Sequence, residues 1–222
     1  MNVDSILQQL TPSTKIIYLA NPNNPTGTYL SRTEIVNLLH NLPKHIIVVL
    51  DGAYAEYVLK DDYDSGFSLI EEFENVIMTR TFSKVYGLAA LRIGWCYSSE
   101  TVANILNKVK GPFNTQTISQ EIAMLALEDT EYLKEIVNNN YKVKKWFEDE
   151  LKKIDIKCGP SEGNFSFIQT SEKKARKISE HLIKEGIIVR QLDSYGLPNC
   201  LRITIGTQEE MIATLESLKK IV

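Results

Sequence analysis

Continuous apolar runs separated by amphipathic helix patterns constrain this chain more than any other feature. Residues 15–20 (KIIYLA) run into Asn21, and residues 46–50 (IIVVL) run into Asp51. Between them Ser31 opens a helix, Glu34 three residues on completes a capping box, and Ile35, Leu38 and Leu39 supply the apolar stripe. A further helix is expected near Ser68, a third strand over residues 76–79 and a fourth over 95–98. Strands apolar throughout rather than alternating, joined by helices, predict an α/β fold: a mostly parallel sheet with helices on both faces. Ligands of such sheets sit beyond the carboxyl ends of the strands, and Asn24, Asp51 and Lys84 all follow such ends.

The pattern changes from about Thr117. A Lys- and Glu-rich helical stretch is expected to run to about Lys153, with Leu133, Ile136, Val137, Val143, Trp146 and Phe147 on its buried side. Short strands follow at residues 164–169, 187–191 and 201–205, with helices between and after them. Gly186 stands where a helix C-cap glycine belongs. Thr207 and Glu210 open the last helix with a second capping box, which turns Met211, Leu215 and Leu218 inward. Two domains are therefore expected, a sheet domain over residues 1–138 and a smaller α+β domain over 139–222.

Several function classes are disfavoured by composition. The net charge of -3 comes from interleaved Lys and Glu, so the basic footprint of a nucleic-acid binder is absent. No apolar run approaches the ~18 residues of a membrane span. Residues 1–4 show no secretory signal pattern. Cys96, Cys158 and Cys200 are odd in number and far apart, which fits neither a disulfide framework nor a metal knuckle and points to a reducing cytoplasm.

The segment 81–95 (TFSKVYGLAALRIGW) carries the clearest chemistry. Lys84 follows Ser83 just after an apolar strand, and Arg92 lies eight residues on. An amine beside a hydroxyl, with a guanidinium two helical turns later, can hold an aldehyde and its phosphate. Taken singly each residue has a plainer reading. Lys84 could simply begin a helix, Asp51 could be an N-cap, residues 21–27 could be only a turn, and Arg202 could pair with a surface carboxylate. The joint occurrence of Asn24, Asp51 and Lys84 at strand ends favours a site. His40, His45 and His181 are expected on the surface or in loops, Tyr57, Trp95 and Trp146 as packing aromatics, and Asn164 as a hydrogen-bonding residue near the site.

Four strings carry a family resemblance: residues 21–27 (NPNNPTG), 51–54 (DGAY), 83–94 (SKVYGLAALRIG) and 201–207 (LRITIGT). In this order and spacing the chain resembles the fold-type I, class I/II aminotransferases, with histidinol-phosphate aminotransferases as the nearest likeness. The resemblance implies pyridoxal 5'-phosphate as cofactor and a homodimer. It makes Lys84 the residue that carries the cofactor and shuttles a proton. Asp51 would face the pyridine nitrogen, Asn24 and Tyr54 would bond its phenolic oxygen, and Ser83, Arg92 and Thr81 would hold the phosphate. Arg202 and Arg190 would bind the substrate's anionic groups, with Asn24 beside them. Tyr195-Gly196-Leu197-Pro198 is also similar to the histidinol-phosphate group. Histidinol phosphate and 2-oxoglutarate are the implied substrates; aromatic aminotransferases and threonine-phosphate decarboxylases share most of the motifs.

Members of this family exceed the single-domain norm in length. The expectation is accordingly that this chain corresponds to the C-terminal part of such an enzyme; the alternative is a truncated or split-gene fragment that is inactive alone or works only with a separate N-terminal chain. A sheet lacking strands would also expose edges and associate. Gly52 stands where an acidic residue is common.

Overall fold

The structure, a computed structural model, describes residues 1–221, which fall into two compact units: residues 1–23 with 29–134, and residues 24–28 with 135–221.

The first unit is built on a four-stranded sheet of β1 (Ile16–Ala20), β2 (Ile47–Asp51), β3 (Val76–Thr81) and β4 (Gly94–Ser98), in that spatial order. β1, β2 and β3 are parallel, and β4 returns antiparallel to β3. The register sets Ala20 beside Asp51 and Asp51 beside Thr79, so the end of β2 and the segment after β3 share one rim. The sheet packs with α1 (Val3–Gln8), α2 (Arg32–His40) and α3 (Phe67–Glu72) around a core that includes Leu19, Ile35, Leu38, Val48, Leu50 and Met78. Each side chain fully buried there contributes about 1.5–3 kcal/mol relative to exposure. β1 is an edge strand, and its Tyr18 is 76% exposed.

The helix starting at Ser31 forms as expected, with both hydrogen bonds of the capping box present. α1 was not anticipated, nor was α4 (Glu100–Val109), which follows β4 and has no buried residue. The expected helical stretch 117–153 is two helices, α5 (Thr117–Glu128) and α6 (Thr130–Lys153). Asp129 breaks it: its ψ of 67° leaves the helical region, and its carboxylate accepts from the Tyr132 N–H in the first turn of α6.

The second unit holds a sheet of β5 (Lys157–Gly159), β6 (Phe165–Gln169), β8 (Cys200–Thr204) and β7 (Arg190–Gln191), in that order and antiparallel throughout. α7 (Glu172–Lys184) and α8 (Gln208–Lys219) pack with α6 around a core that includes Phe147, Leu151, Ile168, Ile178, Leu201 and Leu215. The expected strand at 187–191 shrinks to two residues, because residues 187–189 are still leaving the helix: the Ile187 N–H bonds back to Leu182 O, and Gly186 has φ 80°. His181, expected on the surface or in a loop, lies part-buried in α7 with Nε2 3.1 Å from the carbonyl of Ser217 on α8.

Candidate functional site

In the first unit the candidate residues collect where β2 and β3 end. Asp51 is exposed; its Oδ1 accepts from the Ala53 N–H at 3.1 Å and from Thr79 Oγ1 at 3.5 Å. Those bonds turn the chain so that Tyr54 goes inward, 5% exposed. After β3, Phe82 and Val85 are buried at 2% and 1%, and this alternation leaves the intervening Lys84 exposed. Its Nζ lies 5.4 Å from the centre of the Tyr54 ring. Backbone bonds from Gly87 to Lys84, from Leu88 to Phe82 and from Phe82 to Ile93 fix the segment as a tight loop. The Ser119 hydroxyl, 1% exposed on α5, donates to Leu91 O and ties the far side.

Ser83, Thr81 and Arg92 form one cluster. The Ser83 N–H donates to Thr81 Oγ1 at 3.0 Å, and Arg92 Nη1 reaches Ser83 Oγ at 3.5 Å and Ala89 O at 2.8 Å. Arg92 itself is left-handed, with φ 49°, a conformation a side-chain-bearing residue adopts at a cost of about 1–3 kcal/mol. With the backbone turned in this way the guanidinium reaches Ser83 and Ala89.

Beneath the rim lies a charged pair that the sequence did not flag. Arg80, 7% exposed, donates from Nη1 to Thr79 O, from Nη2 to Ser65 O, and sits 3.4 Å from Glu56 Oε1 through Nε. Burial raises the Glu56 carboxyl above its ordinary value, against the pull of Arg80. Burial, with Glu56 adding to it, also pushes the neighbouring Tyr57 phenol up to about 12. Asn21 closes the base of the loop that follows β1: its side chain donates to Leu30 O and accepts from Leu30 N, and its own carbonyl accepts from the Tyr63 hydroxyl at 2.8 Å.

The second unit brings together Asn24 and Arg202. Arg202 Nη1 donates to Asn24 Oδ1 at 2.6 Å, and the guanidinium carbon lies 5.2 Å from the centre of the Phe165 ring. Arg202 Nε is buried without a hydrogen-bond partner. Arg190 on β7 is exposed and stands directly opposite Arg202 on β8, so the two side chains leave the same face of the sheet. Asn164 accepts through its carbonyl from the Ile205 N–H at 2.9 Å.

Residues 1–218 match the aminotransferase class I and II family. The chain belongs to that family. Among its curated relatives, histidinol-phosphate aminotransferase of Nitrobacter winogradskyi is 44% identical over 94% of this chain and 58% of its own length. That of Rhodopseudomonas palustris strain BisB18 is 42% identical over 98% of this chain and 60% of its own. The chain thus spans about three fifths of the length of the curated relatives it matches. The crystal structure of histidinol-phosphate aminotransferase from Sinorhizobium meliloti, in complex with pyridoxal-5'-phosphate, superposes with a TM-score of 0.90 at 30% identity, covering all of this chain and 62% of that one. The mixed α/β fold of the chain is accordingly that of its family. Among the described residues no helix is long and apolar enough to cross a membrane.

Proposed function

We propose that this chain contributes the lysine-bearing portion of a pyridoxal-phosphate-dependent aminotransferase that moves an amino group from histidinol phosphate to 2-oxoglutarate. The observation that carries the reading is the exposed Lys84 amine beside the buried Tyr54 ring, on the sheet rim that also carries Asp51. The curated relatives' names supply the substrate class.

The donor set suits pyridoxal phosphate group by group. An exposed amine meets an aldehyde, a carboxylate on the same rim meets a ring nitrogen, and a hydroxyl–guanidinium pair meets a phosphate. When bound, that cofactor supplies an electron sink for the pair left on the substrate carbon. Lys84 Nζ would anchor it and would carry a proton from that carbon and back. Asp51 would face the ring nitrogen and hold a proton there, and its bonds from Ala53 N–H and Thr79 Oγ1 keep the carboxylate oriented. The Tyr54 hydroxyl would donate to the ring oxygen. Ser83 Oγ, Thr81 and Arg92 bind the phosphate.

Arg202 and Arg190 bind the substrate's anion. Two guanidinium groups directly opposite on adjacent strands repel each other, an arrangement that a doubly charged phosphate ester or a dicarboxylate relieves. The working enzyme is a cytoplasmic homodimer, whose interface takes up apolar side chains left open along α4 and α5, such as Ile105, Val109 and Ile118.

Parallel incubations with pyridoxal phosphate and 2-oxoglutarate, one with histidinol phosphate and one with threonine phosphate, test the reading, with glutamate and carbon dioxide both measured. Glutamate formation that disappears in Lys84→Ala supports transamination. Carbon dioxide release from a phosphorylated amino acid, without glutamate, would replace it with a decarboxylase.

A further inference from the structure

Lys144 lies in the apolar stripe of α6, in step with Val137, Phe147 and Leu151, and is only 8% exposed, whereas the other lysines of that helix are exposed. Burying an ammonium costs several kcal/mol unless it is hydrogen-bonded. Its Nζ donates to the carbonyl of Ser161 and, at 3.4 Å, to that of Gly163, and Glu148 one turn along the helix adds a partly compensating charge. A lysine in a core stripe is costly enough to ask what the bend at 161–163 must hold in place.

That bend touches both supports of Arg202. On one side the Glu162 N–H donates to Gly27 O at 2.8 Å, and Gly27 packs so closely on Ser161 that any Cβ there would overlap it. Gly27 is three residues from Asn24, which accepts from Arg202 Nη1. On the other side the Ser161 hydroxyl donates to Phe165 O at 2.6 Å, and the Phe165 ring faces the Arg202 guanidinium. Arg202 Nε has no partner, so the guanidinium takes its direction from Asn24 and Phe165.

We infer that Lys144 is a positioning residue for the anion site: its buried ammonium sets the 161–163 bend, and the bend sets the direction of Arg202. The inference rests on the reading of Arg202 as the anion-binding arginine. It predicts a specific loss of anion affinity on removing a charge that no ligand touches.

The test uses the full 222-residue chain, ¹⁵N-labelled and titrated with inorganic phosphate and with glutarate. The readout is the Arg202 Nε–H NMR signal, identified by its absence in Arg202→Lys. Lys144→Met is expected to bind either anion about tenfold more weakly, and Lys144→Arg, which restores donors, to recover most of the loss. Borohydride trapping of pyridoxal phosphate on Lys84 should be equal in all three proteins. A folded Lys144→Met that binds phosphate within about twofold of the parent overturns the inference. Should Lys144→Met not fold, Gly27→Ala takes its place: it leaves Lys144 intact and displaces Ser161 directly, so the same loss is expected and unchanged affinity overturns the proposal. Arg202→Ala separates the two ideas. Full phosphate binding in that variant rejects Arg202 as the anion site; binding lost there but kept in Lys144→Met and Gly27→Ala rejects only the role of Lys144.

Discussion

The guanidinium of Arg80 occupies the space into which a side chain at Gly52 would project. A side chain at that position therefore meets the Arg80 guanidinium, and the turn that carries Asp51 and Tyr54 rests directly on a buried cation. Gly52→Ala forces Arg80 away from the carbonyls of Thr79 and Ser65, to which it donates. Overpacking of this kind costs about 1–3 kcal/mol, so a denaturant melt should show a loss in that range together with weaker trapping of pyridoxal phosphate. A neutral Gly52→Ala would mean that Arg80 can swing clear.

Glu56 gives that pair a pH dependence with a definite sign. Burial, the largest influence, raises its folded pKa above the ordinary 4.5. A raised carboxyl contributes stability that is fully present below the unfolded value and is lost as pH rises through the folded value. The unfolding free energy of the parent minus that of Glu56→Gln should therefore fall as pH climbs from about 4.5 and level off above the folded pKa. A difference that grows over this window would show that the Arg80 charge outweighs burial.

Lys84 and Asp51 should separate cleanly by readout. Lys84→Ala should abolish borohydride trapping of pyridoxal phosphate while leaving the melting curve nearly unchanged, because the side chain is exposed and surface substitutions usually stay within about ±0.5 kcal/mol. Asp51→Asn should still be trapped and yet lose turnover by a factor of roughly 100 or more, if removal of one stabilising electrostatic group follows the usual scale. Mass spectrometry of the reduced protein and initial rates are the two measurements.

Arg190 should show opposite effects on stability and on binding. Like charges directly opposite across strands destabilise by roughly 0.2–1 kcal/mol, so Arg190→Gln is expected to raise the melting point slightly. The same change should weaken phosphate binding, most visibly at low ionic strength, where an exposed cation is least screened. A variant that gains stability and keeps its affinity would leave Arg202 as the sole anion ligand.

Much of this was legible in the sequence, because the signals were local. Asp51, Lys84 and Arg92 follow apolar runs, and the capping boxes at Ser31 and Thr207 mark helices that the structure contains. Arg80, Glu56 and Lys144 were missed for a common reason: each is a charged residue made tolerable by partners distant in sequence, such as Ser65 for Arg80 and Ser161 for Lys144. Lys144 did leave a trace, since it interrupts the spacing of Val137, Phe147 and Leu151, where a polar residue ought to have been suspicious. The pairing of Arg190 with Arg202 needed the strand register, which no single-chain pattern supplies. α4 was missed although Val102, Ile105, Leu106 and Val109 stand at helical spacing, and its start carries no side-chain cap to mark it.

The five residues Asn24–Thr28 cluster with the second unit although the chain on either side of them belongs to the first. The second unit is therefore sewn from two separate lengths of polypeptide. Cleavage or recloning at the junction of Lys134 and Glu135 would not release a self-sufficient module, since Arg202 would lose its acceptor and Ser161 the glycine on which it packs. Anyone dissecting this protein would have to supply residues 24–28 as a peptide or graft them back by permuting the chain.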